Sequence, residues 1–392
     1  MATWLDQVNI IRGMAGFWSD LSGYVPPLPP VTEDTGLSDA NRKLSQYEVE
    51  NLQNLSHLDG QNNNPNFTAA QNSDLWGSSW NLASEVAIIN QWGFGIFHRL
   101  AMLDPRLKKV GFGSYSAPPS PPNVLTAITW SGGYVTATTT TAHGIQAGQW
   151  AKVSGVAPPG YNGQFTAAPG TTGNTLVYAL ATDPGTATGM GMLNRPLQSV
   201  AALNIYQGLD GAVPPPPSSP NGAWHTNVPW PIQFANNPAP VMFPNGIFSV
   251  SANTYPNETP DARASTQCTD FMQGPAGLPI SLQVGPGNVS ETKDSWLNYG
   301  DPSNPDQTPT RVEICIIDQN NFTIADKNWE RVVRSILSGM GAVVLLPRRP
   351  LAVGLYTAHV EIGPPSSPKV PFYEWSFRVV AEETSPAAPM SY

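Results

Sequence analysis

The sequence predicts a multidomain α+β protein, and three observations carry that prediction. Apolar residues recur at helical spacing over residues 5–16 and 37–54. The stretch 125–193 alternates in two-residue steps and holds almost no charge. Residues 280–379 contain five more apolar runs of strand length. A chain of 392 residues is long enough for two or three domains, each with its own core.

Along the chain, Leu5, Val8, Ile11 and Ala15 make one face of a first helix, and Leu37, Leu44, Tyr47 and Leu55 one face of a second. Ser38 or Asp39 can cap the second, with Gly36 before it. Ala83 to Trp92 reads as a third helix and Val110 to Tyr115 as a strand. At Pro118-Pro119-Ser120-Pro121-Pro122 the composition changes to Thr, Gly and Val. Tyr134-Val135-Thr136-Ala137-Thr138 alternates, and Tyr161-Asn162-Gly163 and Asp183-Pro184-Gly185 are turns, which predicts five or six short strands. The α/β part resumes between Leu197 and Leu209, so the β-module is an insertion in a loop, where added chain is tolerated.

The expected boundaries are an α/β domain over 1–120 and 194–210, an all-β module over 123–193 and a Pro-rich linker over 211–223. A C-terminal β domain over 224–382 and a tail over 383–392 follow. Strands at Ile280–Val284, Val312–Ile317, Ala342–Leu346, Tyr356–Ile362 and Tyr373–Val379, with one helix at Asp326–Leu337, fit an immunoglobulin-like β-sandwich.

Charged residues are only 12% of the chain, while 41 Pro and 35 Gly could signal disorder; twelve Trp and regular apolar patterning instead argue for folded β-rich modules joined by Pro-rich loops. A net charge of −9 offers no basic footprint, so a nucleic-acid partner is not expected. Cys268 and Cys315 cannot build a disulfide framework; they form either one bridge or two buried thiols, Cys315 lying in the apolar run from Val312 to Ile317. Met1 to Gln7 lacks the basic-then-apolar pattern of a signal peptide. The best apolar run, Gly341 to Leu346, has the length of a strand, so no membrane span is expected.

One segment carries the strongest motif: Phe97-His98-Arg99-Leu100, Leu103-Asp104-Pro105 and Val110-Gly111-Phe112-Gly113 in fixed order. It resembles the end of the central region in the CAP superfamily, in its bacterial SCP-like branch. Asn9-x-x-Arg12 with Ala15-Gly16, Pro30 to Asp34 with Leu37-Ser38, Ser56-His57-Leu58-Asp59 and Asn81-Leu82-Ala83 are similar to further elements of that family. Ala201 to Ile205, Trp230-Pro231-Ile232, Gly277 to Leu282, and Pro350-Leu351 through Gly354 to Thr357 and on to Trp375-Ser376-Phe377 resemble the branch's C-terminal extension. The resemblance implies a CAP-like α/β/α sandwich whose cleft carries two histidines and two acids able to hold a divalent metal. His57 and His98 match the two histidines. The glutamate expected before Asn81-Leu82 is Trp80 here; Asp59 and Glu85 are the candidate acids to supply a carboxylate in its place, though neither falls clearly in the family's register.

A set with one uncertain acid makes a poor metal site. We therefore expect no metal, no cofactor and no catalytic residue, with His57 and His98 as hydrogen-bonded cleft residues. His143 reads as a turn residue, His225 and His359 as packing or surface residues, and Asp104-Pro105 as a turn. The chain holds no Gly-x-Ser-x-Gly elbow, Walker loop or His-Glu-x-x-His motif.

Val135 to Thr139, Ala142-His143-Gly144, Val153-Ser154-Gly155 and Tyr161 to Thr166 together resemble a small β-module that recurs in bacteriophage tail and other virion proteins. The expected function is thus a structural component of a tailed-bacteriophage particle, as a capsid decoration or tail-associated protein located in the virion. Its expected partners are other virion proteins, further copies of itself in the particle, and a host-surface glycan or protein. The alternatives are a CAP-type metal-dependent hydrolase using His57, His98 and an acid, and a bacterial surface adhesin.

Overall fold

The computed structural model describes residues 2–17, 27–51, 55, 69, 72–78, 82–117, 123–194, 199–207, 241–245, 249–250, 254–256, 258–272, 274–285, 289, 291, 294–300, 308–363 and 372–380. His57, Asp59, Trp80, His225, the linker 211–223 and the tail 383–392 lie outside the described residues. The protein is a mixed α+β, mostly sheet structure with four separate sheets. It divides into two compact units, one of Met1–Thr32, Glu85–Lys108 and Leu209–Tyr392, the other of Glu33–Ser84 and Lys109–Gly208.

The second of these units is built around helix α2 (Thr35–Asn51) and a sheet of order β2 (Thr32–Glu33), β4 (Lys109–Ser116), β11 (Ser199–Asn204) and β3 (Ser73–Ser78). Asp34 starts the helix, its Oδ1 accepting from the backbone N–H of Gly36 (3.0 Å) and Leu37 (3.2 Å). Every residue of β11 is buried, as its central place requires. Along it Ser199 to Asn204 pair antiparallel with Ser116 to Gly111 on one side and with Ser78 to Ser73 on the other.

The Val-Gly-aromatic-Gly motif acquires a physical reason at the α2–β4 contact. A Cβ on Gly113 would stand 2.1 Å from the backbone N of Arg42, and one on Gly111 2.4 Å from Cβ of Leu37. Only glycine lets the helix come this close. Two buried helix side chains then reach the strand: Asn41 Nδ2 donates to the carbonyls of Gly111 (2.8 Å) and Ala202 (3.1 Å), and Ser45 Oγ to that of Gly113 (3.0 Å).

Residues 123–194 of the same unit carry strands and one 3-10 turn. β5 (Asn123–Ser131), β6 (Tyr134–Thr139), β7 (Trp150–Ser154), β8 (Gly163–Thr166), β9 (Thr175–Ala179) and β10 (Met192–Asn194) pair in the order β8-β7-β10-β5-β6-β9. A bridge between Ala167 and Tyr178 and a bond from Ala168 N to Val177 O (2.7 Å) join the two outer ends, so the sheet curls closed and hides its edges. Val135, Ala137, Ala151, Val153, Leu176 and Tyr178 fill its interior. Gly132 (φ 57°) and Gly133 (φ 86°) make the two-residue β5–β6 turn. Lys152 and Asp183 are the sole Lys, Arg, Asp or Glu residues in this stretch.

The other unit has two sheets. The first runs β1 (Gly16–Phe17), β12 (Val241–Phe243), β14 (Ile280–Gln283), β18 (Ala342–Pro347) and β17 (Ile314–Ile317). The last of its helices, α5 (Lys327–Met340), is capped by Asp326, which accepts from Asn328 N and Trp329 N, and ends at left-handed Gly341. Cys268 and Cys315 are joined in a disulfide inside the buried cluster that includes Phe97, Phe322, Val333 and Leu337, which settles the two alternatives the sequence left open. The second sheet runs β13 (Ser249–Val250), β20 (Phe372–Val379), β19 (Gly354–Glu361), β15 (Trp296–Gly300) and β16 (Thr310–Arg311), with β13 parallel to β20.

These units divide the chain differently from the boundaries expected from sequence: residues 2–32 and 85–108 belong with the C-terminal part. The pairing of β1 with β12, Gly16 opposite Met242, ties the N-terminal segment to the C-terminal part, and α1 (Trp4–Gly13) ties it to residues 85–108. Arg12, fully buried, donates to the carbonyls of Pro29 (3.0 Å), Met102 (2.6 Å) and Asp104 (3.1 Å). Asn9 holds Val31 by both its N–H and its carbonyl (2.8 and 3.1 Å), and Asn245 N donates to Met14 O (2.9 Å). The Asn9-x-x-Arg12 motif is therefore a pair of backbone clips.

Candidate functional site

His98 stands in the first turn of α4 (Phe97–Met102), which follows α3 (Glu85–Phe94) after a break at Gly95-Ile96. Its neighbours in sequence are core residues: Phe97 packs edge-on against Phe322 at 5.4 Å, and Leu100, Ala101 and Met102 are buried. His98 itself keeps a side-chain exposure of 17%.

The acid beside it is Glu258, whose side chain is 2% exposed. Oε1 of Glu258 accepts from Ile96 N (2.7 Å) and from the Tyr255 hydroxyl (2.8 Å). Oε2 accepts from Phe97 N (3.2 Å) and lies 3.1 Å from Nδ1 of His98. A carboxylate surrounded by donors asks its fourth partner to donate too, which places a hydrogen on Nδ1 of His98. Ile96 offers no capping side chain of its own, so Glu258 supplies the anion for the start of α4 from a distant part of the chain. Gly95 makes the approach feasible, since a Cβ there would lie 2.8 Å from Oε2 of Glu258.

Two further groups set the electrostatics. Burial, with the negative Glu258 next, raises the Tyr255 hydroxyl well above the usual phenol range, so Tyr255 remains a donor. Arg99 is fully buried, with its guanidinium 4.1 Å over the Phe243 ring, and donates to Pro279 O (3.1 Å) and Ser281 Oγ (3.4 Å). Burial pulls Arg99 down to about 9 while Glu258 pushes it up, so it carries its charge at neutral pH.

Glu85 is exposed in the first turn of α3, and His57 and Asp59 lie outside the described residues. Among the described residues no group of three or more His, Cys, Asp and Glu side chains could hold a metal ion. His143 is buried in the barrel, its Nδ1 accepting from Ile145 N at 3.1 Å across a tight turn. Asp104 binds Arg106 through both oxygens, and its Oδ1 also accepts from Arg106 N (2.8 Å). Sequence reasoning missed Glu258 because it lies 160 residues from His98 in a stretch without periodicity. The available hint was Gly95, a glycine immediately before the motif.

No protein-family model matches the chain, and no curated protein matches it. Among solved structures it is similar to PcoC, a methionine-rich copper resistance protein from Escherichia coli, at 17% identity and a TM-score of 0.18 over 27% of this chain and 83% of that one. The selenomethionine form of PcoC gives 17% identity and a TM-score of 0.19 over 26% and 82%. At such scores the likeness carries no argument about fold, copper or function.

Proposed function

We propose that this chain is a structural component of a tailed-bacteriophage particle, a capsid decoration or tail-associated protein. In this reading a non-catalytic CAP-like domain carries an inserted virion-type β-module and an immunoglobulin-like C-terminal part. The observation that carries it is how the module is spliced in. Its first and last strands pair with each other, Asn123 opposite Leu193, while β4 and β11 on either side keep continuous register from Ser116–Ser199 to Gly111–Asn204. A closed barrel that can be added without disturbing its host is the form expected of an appended contact module. Its near absence of charge suits burial against protein partners, because the centres of interfaces are depleted of charged residues.

The partners in this reading are other capsid or tail proteins and further copies of the chain, with a host-surface glycan or protein as the outward ligand. The His98 geometry favours a structural role over a hydrolase: Glu258 already accepts from two backbone N–H groups and Tyr255. Immunoblotting of purified particles, dissociated in detergent, with antibodies raised against the chain tests the proposal. Detection of the chain in particles supports it; its absence from particles made by cells that make the chain contradicts it.

A further inference from the structure

The outer face of the second sheet of the C-terminal part carries a histidine whose surroundings no expectation from sequence explains. His359 on β19 pairs across the sheet with Trp296 of β15 on one side and Glu374 of β20 on the other. Its ring is stacked between two aromatic rings, Trp296 at 4.9 Å and 2° and Phe372 at 4.9 Å and 22°. Each ring nitrogen meets a different carboxylate: Nε2 lies 3.1 Å from Oε1 of Glu361, and Nδ1 lies 3.3 Å from Oε2 of Glu374.

A neutral imidazole has one N–H, so it can donate to only one of these acids and turns a lone pair toward the other. The imidazolium donates to both, and both aromatic faces favour a cation between them. Among the described residues, the other charged groups on the neighbouring strands are Arg311 of β16, 5.0 Å over Trp296, Arg378 of β20, paired opposite Leu355, and Glu291, bridged to Ile362. Of these, Arg311 and Arg378 oppose the imidazolium, but neither reaches the ring nitrogens that Glu361 and Glu374 occupy.

We propose that His359 is a proton-operated clasp: as an imidazolium it fastens β20 to β19 through Glu374 while Glu361 holds it from its own strand, and on losing its proton it lets the start of β20 open. The contribution is fully present while the ring is charged and is lost as pH rises. Such a device gives the C-terminal sheet two states of different rigidity, one for each protonation state of the ring.

Hydrogen exchange on the full chain tests it. Between about pH 5 and about pH 8, protection of β20 amides, corrected for the intrinsic rate, should fall roughly tenfold, the size of one charge-assisted hydrogen bond. Residues 123–194 should show no such change. In His359→Gln the pH dependence of β20 should vanish, and in Glu374→Gln it should shrink. An equal fall in wild type and His359→Gln, or no fall in wild type, overturns the proposal. Nitrogen-15 spectra of wild-type imidazoles need no variant: two protonated nitrogens at the acid end are expected for His359, and a single protonated nitrogen there also overturns it.

Discussion

Glu258 caps the helix in whose first turn His98 stands. One carboxylate bonds the histidine ring and the two backbone N–H groups before it, across 160 residues of sequence. The histidine that most strongly resembles a catalytic or metal-binding residue thus sits against a buried anion that serves as a helix cap. The energetic weight of the pair rests on Glu258, because its loss strands Ile96 N, Phe97 N and the Tyr255 hydroxyl in the core.

Glu258→Ala should accordingly lower the free energy of unfolding by about 3–5 kcal/mol, the range for breaking a buried charged network. His98→Ala, at a partly exposed position, should lose about 1 kcal/mol. Denaturant titration of both variants checks this. A greater loss for His98→Ala than for Glu258→Ala would contradict the capping role.

Gly113→Ala should destabilise the unit containing α2 by about 3 kcal/mol or more, beyond the usual overpacking penalty, because the added methyl meets helix backbone that cannot rotate away. Gly132→Ala makes a useful contrast. Nothing lies within 4 Å of its Cβ, and only the positive φ of 57° opposes the substitution, so the loss should be about 1 kcal/mol. Thermal unfolding followed by circular dichroism distinguishes the two; equal small shifts would show that α2 does not sit as close to β4 as described.

Alkaline titration should reveal a class of tyrosines that ionise late. Burial raises Tyr356 to about 12 and Tyr178, Tyr255 and Tyr373 upward as well. A raised phenol favours the neutral form in the folded state, so its contribution is complete below the ordinary phenol value of about 10 and disappears as pH climbs through the folded value. Phenolate absorbance should rise in two phases, the buried class second and together with loss of structure. One smooth phase at the ordinary value would contradict the packing of these rings.

Much of the fold was legible where local chemistry decides it. In β6 the alternation of Tyr134, Thr136 and Thr138 with buried Val135 and Ala137 is a direct readout of the pleat. The C-terminal helix was readable from Asp326, and its end at Met340 lies three residues beyond the expected Leu337. What local pattern cannot show is which distant segment supplies a partner. The joining of residues 2–32 to the C-terminal part depends on the pairing of β1 with β12, and Glu258 has no neighbour in sequence that marks it as a cap. Trp296 is of the same kind: β15 is only five residues long, and its place beside His359 follows from register across the sheet.

The most direct test of the particle assignment is quantitative mass spectrometry of tailed phage particles purified by density gradient from cells that carry this gene. The account predicts peptides of this chain in a fixed ratio to the capsid or tail proteins, undiminished by a second gradient at high salt. Its absence from particles, or its loss in step with host contaminants, would contradict the account.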